Sequence, residues 1–307
     1  MRENEERSSL PYGVAPPAYR LPDSTRVGAV HLQVSDLRRS LAYYQEVLGL
    51  RSFTISAEMA VLGSTGDGSP LVNLHTRPGV AHARRGAFGL YHFAILLPGR
   101  AALGRFAAHL STLGIRAGMA DHLVSEALYL SDPDGLGIEV YADRPRDTWR
   151  HRDRELAMTA DPLDITSVVA AGGGGTWDGM PPGTKMGHVH LHVGSLEAAE
   201  AFYHRALGFD KTVWSYPGAL FLSAGGYHHH LAANVWSPGS AASADEARLL
   251  EWELLVPPDA AAAVGRNLQD AGFTAEAADD GITTADPWGT RVRVRAAHRA
   301  ENLLPGV

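Results

Sequence analysis

One stretch of the chain occurs twice and decides the fold: its sequence is VGAVHLQVSDL over residues 27–37 and MGHVHLHVGSL over residues 186–196. The alternating apolar and β-branched residues of the first copy are typical of a β-strand. Ser35-Asp36 is suited to cap a helix, and the apolar stripe of that helix ends at Gly49. The match continues through the helix, so a whole strand–helix unit is duplicated at an offset of 159 residues.

A second motif repeats at the same offset, so each half of the chain contains two such first strands. LYHFAILLP over residues 90–98 matches LLEWELLVP over residues 249–257. Each of the four strands is followed by a helical pattern and short strand-like runs. We therefore predict an α+β fold of four βαβββ modules. The expected segments are an N-terminal arm (1–25), modules 1 and 2 (26–142), a long crossing (143–185), modules 3 and 4 (186–297) and a tail (298–307).

The composition narrows the function classes. The chain has 307 residues, 45% of them hydrophobic, which is enough for two domains with their own cores. Its net charge is −7 and it has no dense Lys/Arg run, so we expect no nucleic-acid partner. The absence of cysteine excludes disulfides, thiolate metal sites and a cysteine nucleophile. Without a secretory signal or a membrane-spanning stretch, we expect a cytoplasmic protein that does not associate with membranes.

Histidines alternate along the first strand of module 3. His188, His190 and His192 are separated by Val189 and Leu191, and the two-residue period of a strand places all three imidazoles on one face. A single histidine at such a position would be best explained by the exposed face of an edge strand. Three in alternation favour a strand that lines a cavity.

Module 2 contains two polar residues inside apolar strands. His92 lies within the run 90–97, and Glu139 lies between two β-branched residues. A buried carboxylate is costly unless it is paired or binds a metal; the alternative is an edge position that faces water. Two imidazoles and one carboxylate on neighbouring strands suit a ferrous or manganous ion, whereas zinc sites are more often tetrahedral.

Further residues suited to proton transfer lie near these candidate ligands in the sequence. Two of them, His228 and His229, follow a Gly-Gly pair in module 3. Tyr129 stands ten residues before Glu139, and His122 lies in the preceding loop. Taken singly, each is better explained as structural. As a group in the two modules that hold the candidate ligands, they indicate an active site.

Several motifs together are similar to the vicinal oxygen chelate superfamily, and specifically to its catechol 2,3-dioxygenase branch. The resemblance covers roughly residues 26–297. The motifs that carry it, besides the GHVH beginning of module 3, are GLYHFAILLP (89–98), SEALYLSDPDG (125–135), YADRP (141–145) and AGGYHHH (224–230). The resemblance implies two open β-barrels and an extradiol dioxygenase that cleaves a catechol-type aromatic substrate with O2. We also expect a homo-oligomer.

The resemblance also implies the metal ligands. It assigns one histidine from the first strand of one module, His188, and a histidine and a glutamate from the partner module, His92 and Glu139. The implied metal is Fe(II), with Mn(II) as the alternative. His190, on the same strand face, is the most credible substitute for His188.

The same resemblance assigns the proton-handling residues. It implies that His229 is the acid–base residue, with His228 as its near neighbour. It implies that Tyr129 donates a hydrogen bond to a substrate oxygen. His122 approximates a second pocket histidine, although its alignment needs a gap.

The chain departs from the better-known two-domain enzymes, which carry the whole site in modules 3 and 4. Here the corresponding residues of module 4 are Glu251 and Arg293, and an arginine would repel a dication. Module 1 has Ala29 where module 3 has His188. Only modules 2 and 3 together supply two histidines and a glutamate. We therefore predict that module 2 pairs with module 3 around the metal, and that module 1 pairs with module 4 in a metal-free barrel.

Two other functions remain open from the sequence. A glyoxalase-like isomerase or a metal-dependent lyase would use a similar metal but usually a second carboxylate ligand. We find no convincing candidate for that ligand. A metal-free binding protein of the resistance type would not need the histidine and glutamate set at all.

Overall fold

The structure is a computed structural model that describes residues 12–66 and 68–297. Residues 1–11 of the expected arm and the expected tail 298–307 lie outside the described residues. No helix within the described ranges is both long and apolar enough to cross a lipid bilayer.

Modules 1 and 2 each consist of a strand, a helix and three further strands, as predicted. The Asp36 side chain caps the first helix by accepting a hydrogen bond from the Arg39 backbone N–H at 3.0 Å. The elements are β1 (Arg26–Val34), α1 (Leu37–Glu46), β2 (Arg51–Ile55), β3 (Met59–Gly63), β4 (Pro70–Thr76), β5 (Gly89–Leu96), α2 (Arg100–Thr112), β6 (Gly118–Asp121), β7 (Ser125–Ser131) and β8 (Gly137–Asp143).

Modules 3 and 4 repeat this order after a crossing that has short elements of its own. The first helix of module 3 continues with π-helical hydrogen bonds over Glu200–Ala206. The elements are β9 (His151–Arg152), β10 (Glu155–Leu156), α3 (Ile165–Ala171), β11 (Lys185–His192), α4 (Leu196–Ala199), β12 (Asp210–Val213), β13 (Ala219–Ser223), β14 (Leu231–Asn234), β15 (Arg248–Val256), α5 (Ala260–Asp270), β16 (Glu276–Ala278), β17 (Gly281–Ala285) and β18 (Arg291–Ala296).

The main strands form two eight-stranded sheets, and each sheet combines two modules. One has the order β12-β13-β14-β11-β5-β8-β7-β6, which joins module 3 to module 2. The other has the order β16-β17-β18-β15-β1-β4-β3-β2, which joins module 4 to module 1. We name these curled sheets the 2/3 half-barrel and the 1/4 half-barrel. The predicted pairing of modules is therefore confirmed.

Antiparallel pairing of two first strands forms the centre of each half-barrel. In the 2/3 half-barrel β11 pairs with β5, and His190 lies opposite His92. In the 1/4 half-barrel β1 pairs with β15, and His31 lies opposite Glu251. The duplicated strands thus meet at equivalent registers, so positions in the two half-barrels can be compared directly.

Hydrogen bonds to buried turn carboxylates connect the half-barrels. The Tyr44 hydroxyl of module 1 donates to Asp132 of module 2 at 3.2 Å. The equivalent Tyr203 hydroxyl of module 3 donates to Asp286 of module 4 at 2.8 Å. Each Asp also accepts backbone N–H groups of its own turn. Consecutive modules therefore stay in contact although they belong to different sheets.

Candidate active site

Three adjacent strands bring together the three residues that the sequence proposed as metal ligands. Strands β11, β5 and β8 lie side by side at the centre of the 2/3 half-barrel. His188 lies opposite Ala94, and Ala94 pairs with Glu139. Because His92 is two residues before Ala94 on the same strand, its side chain shares this face. The small Ala94 side chain leaves the space between the larger ones open.

The ligand atoms of His92, Glu139 and His188 converge. His92 Nε2 lies 3.0 Å, and His188 Nε2 3.2 Å, from Glu139 Oε2. One ligand atom from each residue can be chosen so that all lie within 4.8 Å of one another. All three residues are at most 5% exposed. Although His92 Nε2 lies close to Glu139 Oε2, the two atoms are not aligned for a hydrogen bond, and His188 Nδ1 has no partner at all. Leaving these buried nitrogens in this state is costly unless another group satisfies them. The donor set therefore fits a divalent metal ion.

The protonation states of these residues also suit metal binding. Burial lowers the pKa of His188 to about 4, so its imidazole is neutral at pH 7. Burial raises the pKa of Glu139, but the facing His188 and His92 rings lower it by more, and the net pKa lies well below the usual value. A neutral imidazole and an ionised carboxylate are the forms that coordinate a metal.

The equivalent positions of the 1/4 half-barrel hold an ion pair instead. Glu251 stands at the position of His92, and by strand register Arg293 stands at that of Glu139. The Arg293 guanidinium donates to Glu251 at 2.7 Å. Glu253 replaces Ala94, and it accepts a hydrogen bond from Ala29, the counterpart of His188, at 3.2 Å. The space that lies between the ligands in one half-barrel is filled by paired charges in the other.

The His92, Glu139 and His188 cluster lines a cavity of about 190 Å³. One wall comes from the 143–185 crossing, through Met158, Thr159 and Ala160. These three residues lie outside the strands and helices, so no hydrophobic periodicity and no motif in the sequence indicates that they contribute to a site. The lining residues that sequence reasoning missed are Tyr91, Ala120, Met158, Thr159, Ala160, Tyr216, Phe221 and Trp236.

His229 lies in the same cavity, where the resemblance placed the acid–base residue. Its ring centroid is 4.0 Å from that of His188. Burial, and then the neighbouring His188, hold the pKa of His229 well below its ordinary value, so the ring is neutral. His229 Nδ1 is 2.7 Å from His228 Nδ1, and His228 is fully buried behind it. His228 does not line the cavity.

Tyr129 and His122 form a pair at the opposite side of the cavity. Tyr129 lies directly opposite Glu139 in the β7–β8 pair, so both side chains share the inner face. The Thr159 carbonyl can only accept, so His122 Nδ1 donates to it at 2.5 Å. The remaining nitrogen, His122 Nε2, then accepts from the Tyr129 hydroxyl at 2.6 Å when the ring is neutral. Burial, and next the charge of Glu139, raise the pKa of Tyr129 well above its usual value.

His190 lines the cavity but is poorly placed to replace His188 as a ligand. Its Nε2 is 2.9 Å from Asn234 Nδ2, which donates to it. The other amide atom, Asn234 Oδ1, lies 2.7 Å from His192 Nδ1. The asparagine therefore occupies one nitrogen of each ring, and His192 does not line the cavity.

We expect Tyr129→Phe to lower kcat by only about 2- to 10-fold, because one hydrogen bond contributes about 0.5–1.5 kcal/mol. Metal content should not change, since the Tyr129 hydroxyl pairs with His122. Steady-state kinetics and metal analysis of the purified variant would check this. A loss of bound metal would show that the hydroxyl supports the ligand set.

Comparisons with known proteins identify the family of this chain. The Glyoxalase/Bleomycin resistance protein/Dioxygenase superfamily matches residues 26–140 and 185–293. A catechol-2,3-dioxygenase of Bacillus subtilis (strain 168) is 41% identical over 272 residues, covering 86% of this chain and 95% of that protein. The chain therefore belongs to this superfamily, and the resemblance inferred from its motifs is confirmed.

Solved structures share the fold at low sequence identity. A Bacillus subtilis subsp. subtilis str. 168 protein, provisionally titled a dioxygenase, has a TM-score of 0.66 at 12% identity, covering 91% of this chain and 86% of that one. Glyoxalase I from Zea mays has a TM-score of 0.54 at 19% identity, covering 89% and 92%. The α+β fold of duplicated modules predicted from the sequence is thus confirmed.

Proposed function

We propose that this protein is an extradiol dioxygenase that opens a catecholic ring with O2 and uses Fe(II) as its metal. The observation that carries the proposal is the buried cluster of His92, Glu139 and His188 at the wall of a largely aromatic cavity. The 41% identity to a catechol-2,3-dioxygenase supports the same reaction.

The metal would be held by His92 and His188 through imidazole nitrogens and by Glu139 through its carboxylate. Two histidines and one carboxylate are the donor set that non-haem Fe(II) oxygenases use. When bound, the ferrous ion would bring the catecholate and dioxygen together and allow electron density to pass between them. Met158 and the aromatic residues of the lining would surround the reacting groups with largely apolar surface.

The protein side chains would manage the protons of the catechol. A substrate that binds through both ring oxygens must lose protons from its hydroxyls. Neutral His229, within the cavity, can accept one of them and return it later to the opening ring. On the other side, the Tyr129 oxygen can accept a hydrogen bond from the substrate while its own proton points to His122. That hydrogen bond would orient the substrate oxygen and would not relay its proton.

The lining of the cavity determines which charge on the substrate it can accommodate. Within the described residues, no lysine or arginine lines it, and the lining carboxylate is the proposed metal ligand Glu139. A carboxylate substituent on the ring would enter this cavity without a cationic partner, which costs free energy. We therefore expect a catechol whose substituents carry no charge.

We expect 4-methylcatechol to be turned over with a kcat/KM about 10- to 100-fold higher than 3,4-dihydroxybenzoate, which carries a carboxylate at the same ring position. An unpaired buried charge costs at least about 1–3 kcal/mol, and 1.4 kcal/mol is tenfold. The two substrates should be compared in one oxygen-uptake assay. Equal kcat/KM values would contradict an uncharged cavity.

The reaction itself is tested by oxygen uptake of the Fe(II)-loaded protein with catechol. The proposal expects one O2 consumed per catechol and a yellow ring-opened product. No oxygen uptake across a panel of catechols would overturn it. Among the described residues, the three-residue cluster is not joined by a second carboxylate, so a glyoxalase-like isomerase is less well supported.

A further inference from the structure

A chain of hydrogen bonds leads from His229 away from the cavity to an acidic residue. His229 Nδ1 contacts His228 Nδ1 at 2.7 Å, and His228 Nε2 contacts Asp143 Oδ1 at 2.9 Å. Asp143 ends β8 and lines a separate cavity of about 370 Å³. It is therefore not a lining residue of the proposed catalytic cavity.

The chemistry of these groups fixes the proton positions when the rings are neutral. A carboxylate can only accept, so the proton of His228 is on Nε2 and donates to Asp143. His228 Nδ1 is then bare and can only accept. The 2.7 Å contact needs one proton, so His229 carries it on Nδ1. His229 Nε2 is left as the ring nitrogen with a free lone pair.

We propose that Asp143 is a positioning residue that acts through His228 to keep His229 in the Nδ1–H tautomer, with bare Nε2 available as a base for the substrate. This inference rests on the proposed function. It assigns to Asp143 and His228 a role comparable to that of the aspartate that holds the histidine tautomer in a serine protease triad.

Neighbouring aromatic residues hold Asp143 and His228 in place. Tyr141 donates to the Tyr227 hydroxyl at 2.6 Å, and Tyr227 donates to Asp143 Oδ1 at 3.1 Å. The His228 ring is fully buried between Tyr227 and Trp149, with ring centroids at 4.0 and 5.4 Å. Buried His228 thus relies on protein partners, which limits the alternatives for its proton.

The duplication provides an internal comparison. At the 159-residue offset, module 1 has Ser69 and Pro70 where module 3 has His228 and His229. By strand register, the counterpart of Asp143 in module 4 is Ala297. The half-barrel that has an ion pair in place of the ligand cluster therefore also lacks the Asp–His–His chain.

The test is the tautomer of His229, read by ¹⁵N NMR of imidazole-labelled, zinc-loaded protein at pH 8, with the His229 signals assigned by their loss in His229→Gln. We expect a proton on Nδ1. The NMR measurement of the tautomer needs no turnover, so its result does not depend on whether the protein is a dioxygenase. A proton on Nε2, or on both nitrogens, would overturn the proposal.

Two substitutions at position 143 separate hydrogen-bond acceptance from charge. Asp143→Ala removes the acceptor, so Tyr227 can donate to His228 Nε2 and shift the His229 proton to Nε2. We expect kcat to fall by about 10²- to 10⁴-fold with KM changed by less than about threefold. Asp143→Asn can present either its oxygen or its NH2 group to His228 Nε2, so its kcat should follow the His229 tautomer that the ¹⁵N spectrum of this variant shows. An unchanged tautomer and kcat in Asp143→Ala, or a loss of kcat in either variant without a shift of the tautomer, would overturn the proposal.

Discussion

Glu139→Gln is expected to remove the metal and, with it, turnover. The amide is neutral, so the dication would lose the anionic ligand of the cluster and would retain two neutral imidazoles. Removing groups that merely support a ligand costs about 10- to 100-fold in metal affinity, so losing the carboxylate itself should cost more. Metal analysis after gel filtration should find the variant nearly metal-free, with turnover reduced by more than about 10²-fold.

The matched control is Glu253→Gln in the 1/4 half-barrel. Glu253 is also a buried carboxylate beside a histidine, with Oε1 3.2 Å from His31 Nε2, and it corresponds to Ala94. This variant should keep its metal and its turnover. Circular dichroism of both variants would show that neither has unfolded. Full metal occupancy and turnover in Glu139→Gln would remove Glu139 from the ligand set.

His229→Ala is expected to keep the metal and lose most of its turnover. His229 lies in the cavity beside His188, yet it does not belong to the group of converging ligand atoms. Without its ring, the substrate loses the base that accepts its proton. General acid–base groups contribute about 10²- to 10⁴-fold in rate. Metal analysis and kcat of the same preparation would check both parts of this prediction.

His230→Gln is the neighbouring control, because His230 is buried but lines the larger, separate cavity. Its Nδ1 contacts Ser223 and the Ala224 backbone N–H, so the residue supports the local turn. This variant should keep turnover within a few-fold of the parent protein. Loss of metal from His229→Ala would instead identify His229 as a ligand.

The arrangement of the modules could be predicted because the duplicated copies retain different residues. His92 and Glu139 are in module 2 and His188 is in module 3. A three-residue metal set therefore required modules 2 and 3 to share a sheet, and the strand order confirms that they do. The hydrophobic period and the cap of α1 predicted the strand and helix that begin module 1, whereas β9, β10 and α3 in the crossing were not predicted.

The cavity wall and the support of His229 could not be predicted in the same way. Met158 and Trp236 are brought to the cavity by loops, whose paths depend on tertiary contacts and leave no periodic signal. Asp143 ends β8, 85 residues before His228, which precedes β14, and only the β14-β11-β5-β8 strand order brings the two together. Such pairs of distant residues become visible only in the folded chain.

Anomalous diffraction at the iron edge from crystals of the Fe(II)-loaded protein tests the central claim most directly. The account predicts one strong peak per chain in the 2/3 half-barrel, on the order of 2 Å from His92, Glu139 and His188. The 1/4 half-barrel should show no peak beside Glu251 and Arg293, whose side chains are paired with each other. A peak in the 1/4 half-barrel, or one coordinated without Glu139, would contradict the account.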